Sequence, residues 1–162
     1  MRVPRSPERA LVIGCGEGEA VLFLAREFPR TRLRGVDPSE AAVRAATARV
    51  GLDPEGRIAF KVGRAASLPY PDDLFDLVAQ LDARPSIGEI ARVLRPGGHL
   101  ILARSAPPGG LFAQSPARLR RRLERHGIDQ VDAATAGDGN FLVGRLRDGD
   151  PRGGTHLGCQ HR

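Results

Sequence analysis

The amino-acid sequence predicts an α/β fold in which a mainly parallel sheet is covered by helices on both faces. Short apolar runs typical of buried strands alternate with segments whose apolar residues recur at helical spacing. A glycine-rich turn follows the first apolar run, and the second run ends in an aspartate. The chain has 162 residues, of which 41% are hydrophobic, which is enough for one domain with its own core.

The elements follow from apolar runs and from the glycine and proline residues that bound them. The five strands predicted first span residues 10–13, 32–36, 58–62, 74–79 and 99–103. Helices are predicted after the first strand up to Pro29, from 37–40 to Gly51, over 87–94 before Pro96, and from Pro116 to His126. Two strands, 128–133 and 141–146, with a turn at 137–139, are expected to end the domain.

Composition also predicts how the chain is organised. We expect a short extension over residues 1–8, one domain over 9–147 and a disordered polar tail over 148–162. No apolar run approaches the roughly 20 residues of a membrane span, and the N-terminal segment lacks the apolar stretch of a secretory signal. We therefore expect a cytoplasmic protein without a membrane span.

The net charge of +6 comes almost entirely from arginine, because Lys61 is the only lysine. This bias towards arginine weakens basic charge as evidence for nucleic-acid binding, and we do not expect such binding. Attraction to anionic partners remains possible. Four arginines share one stripe of the last helix: Arg118, Arg121, Arg122 and Arg125. We interpret them as a solvated face, with a nucleic-acid or acidic-substrate contact as the alternative.

The two cysteines, Cys15 and Cys159, do not form a disulfide framework. Cys15 is interpreted as a small filler in the glycine turn, because a nucleophile would need a paired base and none is identifiable. His156, Cys159 and His161 could bind a metal in principle, but a tail without a site is the preferred interpretation. No metal site is predicted.

The turn Gly14-x-Gly16-x-Gly18, between a strand and a helix, is typical of nucleotide binding, because glycines let the chain turn tightly and the ligand approach the backbone. The second strand ends in Asp37, 19 residues after Gly18. A carboxylate there can accept both hydroxyls of a ribose. The alternative is that Asp37 caps the second helix, with Pro38 at the first helical position and Glu40 at the third.

The glycine spacing separates two ligand classes. Dinucleotide turns read G-x-G-x-x-G, whereas here the third glycine comes one residue early and Glu19 takes its place. Glu17 and Glu19 also disfavour a pyrophosphate by like charge. The pattern favours a nucleoside without phosphates, such as an adenosyl sulfonium, over the nicotinamide cofactor of an oxidoreductase.

Five segments together resemble the successive motifs of class I S-adenosylmethionine-dependent methyltransferases, especially the small-molecule branch that includes quinone-biosynthesis enzymes. The segments are 11–18, 35–39, 67–72, 75–78 and 90–98, within a likeness that covers roughly residues 9–147. The resemblance implies a doubly wound, Rossmann-like sheet of seven strands, mainly parallel, with the last strand antiparallel. It implies a methyltransferase with S-adenosylmethionine as cofactor and a small molecule as acceptor.

The resemblance also implies where the cofactor binds. Glycines 14, 16 and 18 would line its methionine part, Asp37 would hold the ribose, residues 63–65 would flank the adenine, and Gln80 would face the methyl group. The implied cofactor-binding residues are therefore Gly14, Cys15, Gly16, Gly18, Asp37, Pro38, Arg64, Ala65 and Gln80. No catalytic base is named, because neither His99 nor His126 is convincingly placed.

Four departures from the family pattern bear on activity. Val12 and Arg64 stand where the family usually has acidic residues, and Arg64 cannot accept a hydrogen bond. The connection from Gln80 to Ile87 is several residues shorter than usual, and the chain begins almost directly at the first strand, without the family's lid helices. We therefore expect an open site that a second subunit could cover, with a non-catalytic binding or scaffold protein as the rival interpretation.

Overall fold

The fold is described from a computed structural model, for residues 6–53, 55–81, 85–104, 116–136 and 139–148. The strands are β1 Arg9–Ile13, β2 Arg32–Asp37, β3 Ile58–Val62, β4 Phe75–Leu81, β5 Leu94–Arg104, β6 Ile128–Ala136 and β7 Gly139–Leu146. The helices are α1 Glu19–Glu27, α2 Glu40–Val50, α3 Ile87–Val93 and α4 Pro116–Arg125. In the described part of the chain, no helix is both long and apolar enough to cross a membrane.

The seven strands form one sheet in the order β3-β2-β1-β4-β5-β7-β6. All pairs from β3 to β5 are parallel, whereas β7 runs antiparallel to both β5 and β6. This arrangement confirms the predicted mainly parallel sheet with an antiparallel last strand. The strand order reverses between β1 and β4, which is where open α/β sheets bind their ligands.

The central strand β1 is apolar from Ala10 to Ile13 because helices cover both faces of the sheet. Leu11 and Ile13 point to one face and Ala10 and Val12 to the other, and none of the four is more than 3% exposed. On the first face, the core includes residues of α3 and α4: Ile87, Ile90, Val93 and Leu123. On the second face, Val21 of α1 packs with the β1 residues, so the sheet is doubly wound as predicted.

The boundary between α3 and β5 differs from the prediction. The helix ends at Val93, and Leu94 already belongs to a strand that runs through Pro96, Gly97 and Gly98. Leu94 is fully buried and pairs with Phe75 in β4. Tertiary pairing thus extends the strand through a segment that local signals mark as a helix stop, and a register shift between Phe75 and Leu77 accommodates it.

The other boundaries shift by a few residues at most. The strand β4 begins at Phe75 instead of Leu74 and continues to Leu81, and β6 and β7 are longer than predicted. The predicted turn at 137–139 lies mostly outside the described residues, as do the predicted N-terminal extension up to residue 5 and the predicted tail from residue 149.

The connection from β3 to β4 is held to α3 by Arg92. Its guanidinium donates to the carbonyl oxygens of Tyr70 at 2.8 Å and Leu68 at 3.1 Å. It also pairs with the carboxylates of Glu89 at 2.8 Å and Asp72 at 2.9 Å. Glu89 accepts a hydrogen bond from the backbone N–H of Leu68 at 2.8 Å. The Arg92–Glu89 ion pair therefore binds both the N–H and the carbonyl groups of this loop. Leu68 and Tyr70 can therefore stay buried without a helix in this crossover.

We predict that Arg92→Gln lowers the free energy of unfolding by about 1.5–3 kcal/mol near pH 7, the scale of hydrogen bonds to charged groups. Hydrogen bonding from Arg92 holds the pKa of Glu89 below its usual value. A carboxyl with a lowered pKa stabilises the fold above its unfolded pKa, and this stabilisation is lost as the pH falls through the folded value. The difference between the two proteins should therefore shrink below about pH 4.

Urea unfolding from pH 7 to pH 3 measures this effect. Arg44→Gln, an exposed position on α2, is the matched control and should change stability by less than about 0.5 kcal/mol. Equal losses for the two variants would contradict the role given to Arg92.

Candidate functional site

The predicted site residues converge on the carboxyl ends of β1, β2 and β4. In the sheet, Ile13 at the end of β1 pairs with Val36 in β2 and with Gln80 in β4. The glycine turn follows Ile13 directly, so it lies at the point where the strand order reverses. This position is the ligand crevice of doubly wound sheets.

The glycine turn has a geometry that requires glycine. The backbone N–H groups of Gly14 and Cys15 both donate to the carbonyl oxygen of Val36, at 2.9 and 3.2 Å. Gly14, Gly16 and Gly18 have φ values of +72°, +51° and +90°, the left-handed region that side chains disfavour. The turn therefore depends on the sequence spacing of these glycines and on the neighbouring strand β2.

The three glycines face different surroundings. A Cβ on Gly18 would lie 3.1 Å from both Ala46 and the ring of Phe60, so this glycine serves the packing of α1 against its neighbours. A Cβ on Gly14 would lie 3.5 Å from the carbonyl oxygen of Leu81. A Cβ on Gly16 would meet no atom of the described residues within 4 Å. Gly16 is therefore the glycine whose backbone borders open space that a ligand can enter.

The Asp37 carboxylate joins the glycine turn to the start of α2. One carboxylate oxygen accepts from the backbone N–H of Gly16 at 3.1 Å, and the other accepts from that of Ser39 at 2.9 Å. Each carboxylate oxygen retains acceptor capacity after one such bond. The carboxylate therefore keeps acceptor capacity beside the glycine turn.

The alternative that Asp37 caps the second helix is wrong. The N-cap is Ser39, whose hydroxyl accepts from the backbone N–H of Ala42 at 3.2 Å, and α2 begins at Glu40. Asp37 is still part of β2, where it pairs with Val62 in β3, so its side chain turns to the glycine loop. Pro38 consequently lies before the helix and is exposed.

The end of β3 is tied to the same place by its backbone. Gly63 donates from its N–H to the carbonyl oxygen of Asp37 at 3.0 Å. The next residues form a tight turn in which Ser67 donates to the carbonyl oxygen of Arg64 at 3.1 Å. Arg64 is exposed, whereas Ala65 is half-buried and packs against the core. The structure thus brings Gly63 to Asp37 and leaves Arg64 at the surface.

Gln80 and Val12 lie near the carboxyl ends of β4 and β1 and point to opposite faces of the sheet. Gln80 is 1% exposed at the penultimate position of β4, beside the glycine turn. Val12 is fully buried in an apolar cluster with Ala10, Leu33 and Leu77. This side chain brings no polar atom to the site, in contrast to the acidic residue that the family resemblance implies at this position.

Cys15 is buried in the turn, as its interpretation as a filler requires. Its side chain is 5% exposed and packs in the same cluster as Val12. Burial, with a smaller contribution from the Asp37 carboxylate, raises the pKa of the Cys15 thiol to about 11. The group is therefore a neutral thiol at physiological pH and a poor nucleophile.

The histidines lie away from this edge or outside the described residues. His99 pairs with Leu77, three residues before Gln80, and burial followed by the charge of Arg145 lowers its pKa. His126 is exposed just after α4. The tail group of His156, Cys159 and His161 lies outside the described residues. The described residues therefore supply no histidine base at the glycine turn.

Sequence reasoning missed two contributors to the site. Ser39 has the ordinary N-cap signature, a serine followed by an acidic first turn, and could have been preferred over Asp37. Phe60 fills the space that the absent side chains of Gly18 and Gly35 leave, a contact that depends on the register of β2 and β3.

Comparisons with known proteins agree on one family. A family model described as a methyltransferase domain matches residues 10–98. The 27-O-demethylrifamycin SV methyltransferase of Amycolatopsis mediterranei is 37% identical over 129 residues, which cover 75% of this chain and 45% of that protein. The demethylmenaquinone methyltransferase of Deinococcus radiodurans is 30% identical over 141 residues, covering 82% of this chain and 56% of that protein. The chain thus spans about half the length of these relatives.

Solved structures share the fold at low sequence identity. A chain of the complex between the Haloferax volcanii Trm112 methyltransferase activator and a methyltransferase matches with a TM-score of 0.77 and 21% identity, covering 90% of this chain and 85% of that one. The Haemonchus contortus phosphoethanolamine N-methyltransferase 2, in complex with S-adenosyl-L-methionine, matches with a TM-score of 0.72 and 17% identity, covering 86% and 49%.

We predict that Cys15 resists alkylation in the folded protein. With a pKa of about 11, the thiolate fraction at pH 8 is about 0.1%, roughly a hundredfold below that of a thiol with an ordinary pKa. Iodoacetamide labelling of a Cys159→Ser variant, followed by mass spectrometry, measures this rate, which should rise as the pH approaches 11. The same variant in denaturant is the control and should react at an ordinary rate. Rapid labelling of the native protein at pH 8 would disprove the assignment.

Proposed function

This chain belongs to the methyltransferase domain family, and we propose that it transfers the methyl group of S-adenosylmethionine to a small-molecule acceptor. The family is the class I group, whose cofactor is S-adenosylmethionine. The observation that carries the proposal is the hydrogen bond between Asp37 and Gly16, which holds a carboxylate beside open backbone.

The residues at the turn fit the nucleoside part of this cofactor. Open space at Gly16 admits a ligand to the backbone, and the Asp37 oxygens retain capacity to accept ribose hydroxyls. The exposed Glu17 and Glu19 at the start of α1 disfavour a pyrophosphate and are compatible with a positively charged sulfonium. The fit is poorer at the amino group of the cofactor, because Val12 offers no carboxylate there.

The proposed roles follow from these positions. Asp37 holds the ribose. The backbone of the turn from Gly14 to Gly18, which includes Cys15, borders the methionine part of the cofactor. Pro38, Arg64 and Ala65 lie on the adenine side. Gln80, buried at the end of β4, faces the reacting end. The bound cofactor supplies an electrophilic methyl group on sulfur. The chain contributes mainly by proximity and orientation, which hold the acceptor atom in line with that methyl group.

The relatives support a small-molecule acceptor and a further covering element. Their names describe methylation of a rifamycin precursor and of demethylmenaquinone. Because this chain spans about half of their length, we propose that a second subunit or further segment covers the strand ends. The structural match to a chain from a complex with a methyltransferase activator supports a partner of this kind. Covering the site would exclude water and complete the contacts to the acceptor.

A second candidate is a non-catalytic relative that keeps the fold and serves as a binding or scaffold protein. The specific observation in its favour is Val12, which is fully buried among apolar side chains at the position of an expected acid. Titration with S-adenosylhomocysteine separates the two functions: no binding supports the scaffold. With binding established, labelled-methyl transfer to phenols, quinols, amines and RNA tests catalysis.

We predict that Asp37→Ala weakens S-adenosylhomocysteine binding about tenfold to a hundredfold, the effect of a lost charged hydrogen bond of about 1.5–3 kcal/mol. Asp53→Ala is the matched control, because Asp53 also accepts a backbone hydrogen bond, from Ile58 at 2.9 Å, but lies outside the site. Calorimetry on both variants, after circular dichroism has confirmed their fold, measures the difference. Equal affinities for the two variants would leave Asp37 with a structural role only.

We predict that Gly16→Val abolishes binding of S-adenosylhomocysteine, because the added side chain would enter the open space at the turn. Gly56→Val is the matched control: Gly56 also has a positive φ, +62°, and a Cβ there would also meet no described atom within 4 Å, but this glycine lies before β3. Both substitutions should strain the backbone to a similar extent, by about 1–2 kcal/mol. A Gly16→Val protein that binds as well as the control would show that the ligand lies elsewhere.

A further inference from the structure

A surface groove lies between α4 and the β6–β7 hairpin. It is at the opposite edge of the sheet from β2 and Asp37. Its volume is about 480 Å³, which falls within the range of small-ligand sites. Arg120, Arg121 and Glu124 line it from the helix, and Val131, Ala133 and Leu142 line it from the strands. We name this feature the α4 groove.

The walls of the α4 groove combine an apolar floor with a cationic rim. Val131 and Leu142 are half-buried and pack against the main core, so they present apolar surface at the bottom. Arg120, Arg121 and Glu124 are exposed above them, so the rim carries two positive charges and one negative charge. Arg120 also donates to the carbonyl oxygen of Val131 at 3.4 Å, which places its guanidinium over the floor. A ligand here would meet apolar contact on one side and positive charge on the other.

The positive charge of α4 is not balanced within the described part of the chain. The helix carries five arginines and one acidic residue, Glu124, and its first turn has no acidic residue. Among described residues, Arg118, Arg121 and Arg125 form no ion pair, and arginines four apart repel one another. The helix therefore keeps a charge pattern that lowers its own stability and that a bound anion would offset.

The α4 groove is separate from the glycine turn but lies on the same face of the sheet as the Gln80 side chain. Leu142 pairs with Leu102, and Leu102 pairs with Gln80, so the three residues lie in one row across the sheet. Two strand spacings put the backbones of Leu142 and Gln80 about 10 Å apart. Ile13, which precedes the glycine turn, and Val36, which precedes Asp37, lie one and two strands further along this row. Substitutions at the rim of the α4 groove should therefore leave the glycine turn and Asp37 unchanged.

We propose that the α4 groove is a binding site for a small organic anion with an apolar body. The apolar body lies on Val131 and Leu142, and the acid group pairs with Arg120 and Arg121. The groove is of the size of a small-molecule site and holds both kinds of contact, which favours such an amphiphilic acid over a nucleic acid. A polyanion would use all exposed arginines of α4 equally and would need no apolar floor.

Isothermal titration with decanoate, at a concentration below micelle formation, tests the proposal on the whole chain. The Arg120→Gln/Arg121→Gln double variant should bind decanoate at least about tenfold more weakly than the unaltered chain. The matched control is Arg118→Gln/Arg125→Gln, which removes the same charge from exposed positions on the same helix outside the groove. The control should lose less than about threefold, and neutral 1-decanol should bind more weakly than decanoate to the unaltered chain.

Any of three results with the small ligands would overturn the proposal: no decanoate binding to the unaltered chain, equal losses in the two double variants, or equal affinity for decanoate and decanol. A single-stranded RNA oligonucleotide that binds tightly, and loses affinity equally in both variants, would assign α4 to nucleic acid and also overturn it. S-adenosylhomocysteine titration of the same proteins reports separately on the proposed function, and its affinity should not change in either variant.

Discussion

The carboxylate of Asp37 is the group on which the arrangement of the candidate site depends. A strand end, a glycine turn and a helix start meet there, and each offers backbone N–H groups that need acceptors. The Asp37 carboxylate accepts from one N–H group of the turn at 3.1 Å and from one N–H group of the segment before the helix at 2.9 Å. Its backbone carbonyl oxygen accepts from the N–H of Gly63. Three loops are thereby fixed by one residue. A ligand that binds these loops finds them already ordered, so little conformational entropy is lost on binding.

Sequence patterns predicted the fold well because they report on burial. The β1 run is apolar on both sides, which holds only for a strand covered on both faces, and the structure shows that cover from α1 on one face and α3 on the other. The start of β5 was predicted five residues too late, at His99 instead of Leu94. Pairing of Leu94 with Phe75 is a tertiary contact, and it makes a strand of a segment that local signals mark as a break.

The site was predicted less completely, since sequence shows which residues are present and not which way they face. Asp37 and Ser39 are both good helix caps by residue type, and the pairing of Asp37 with Val62 decides between them. The three glycines look equivalent in sequence, yet the ring of Phe60 packs closely against Gly18, whereas Gly16 borders open space. The Arg92 network was not predicted at all, because its partners come from a loop about twenty residues away.

The position of β7 has a consequence for how the chain is made. Because β7 lies between β5 and β6, the partner of β5 on this side is the last of the described strands to leave the ribosome. Until then, the part of β5 that pairs with β7, residues 99–104, presents an edge with unpaired backbone groups, of the kind that recruits other strands. A nascent or truncated chain that ends before Gly139 would keep this edge. Production of soluble protein should therefore be sensitive to translation pauses and C-terminal cuts, and chaperones that shield strand edges should raise the yield.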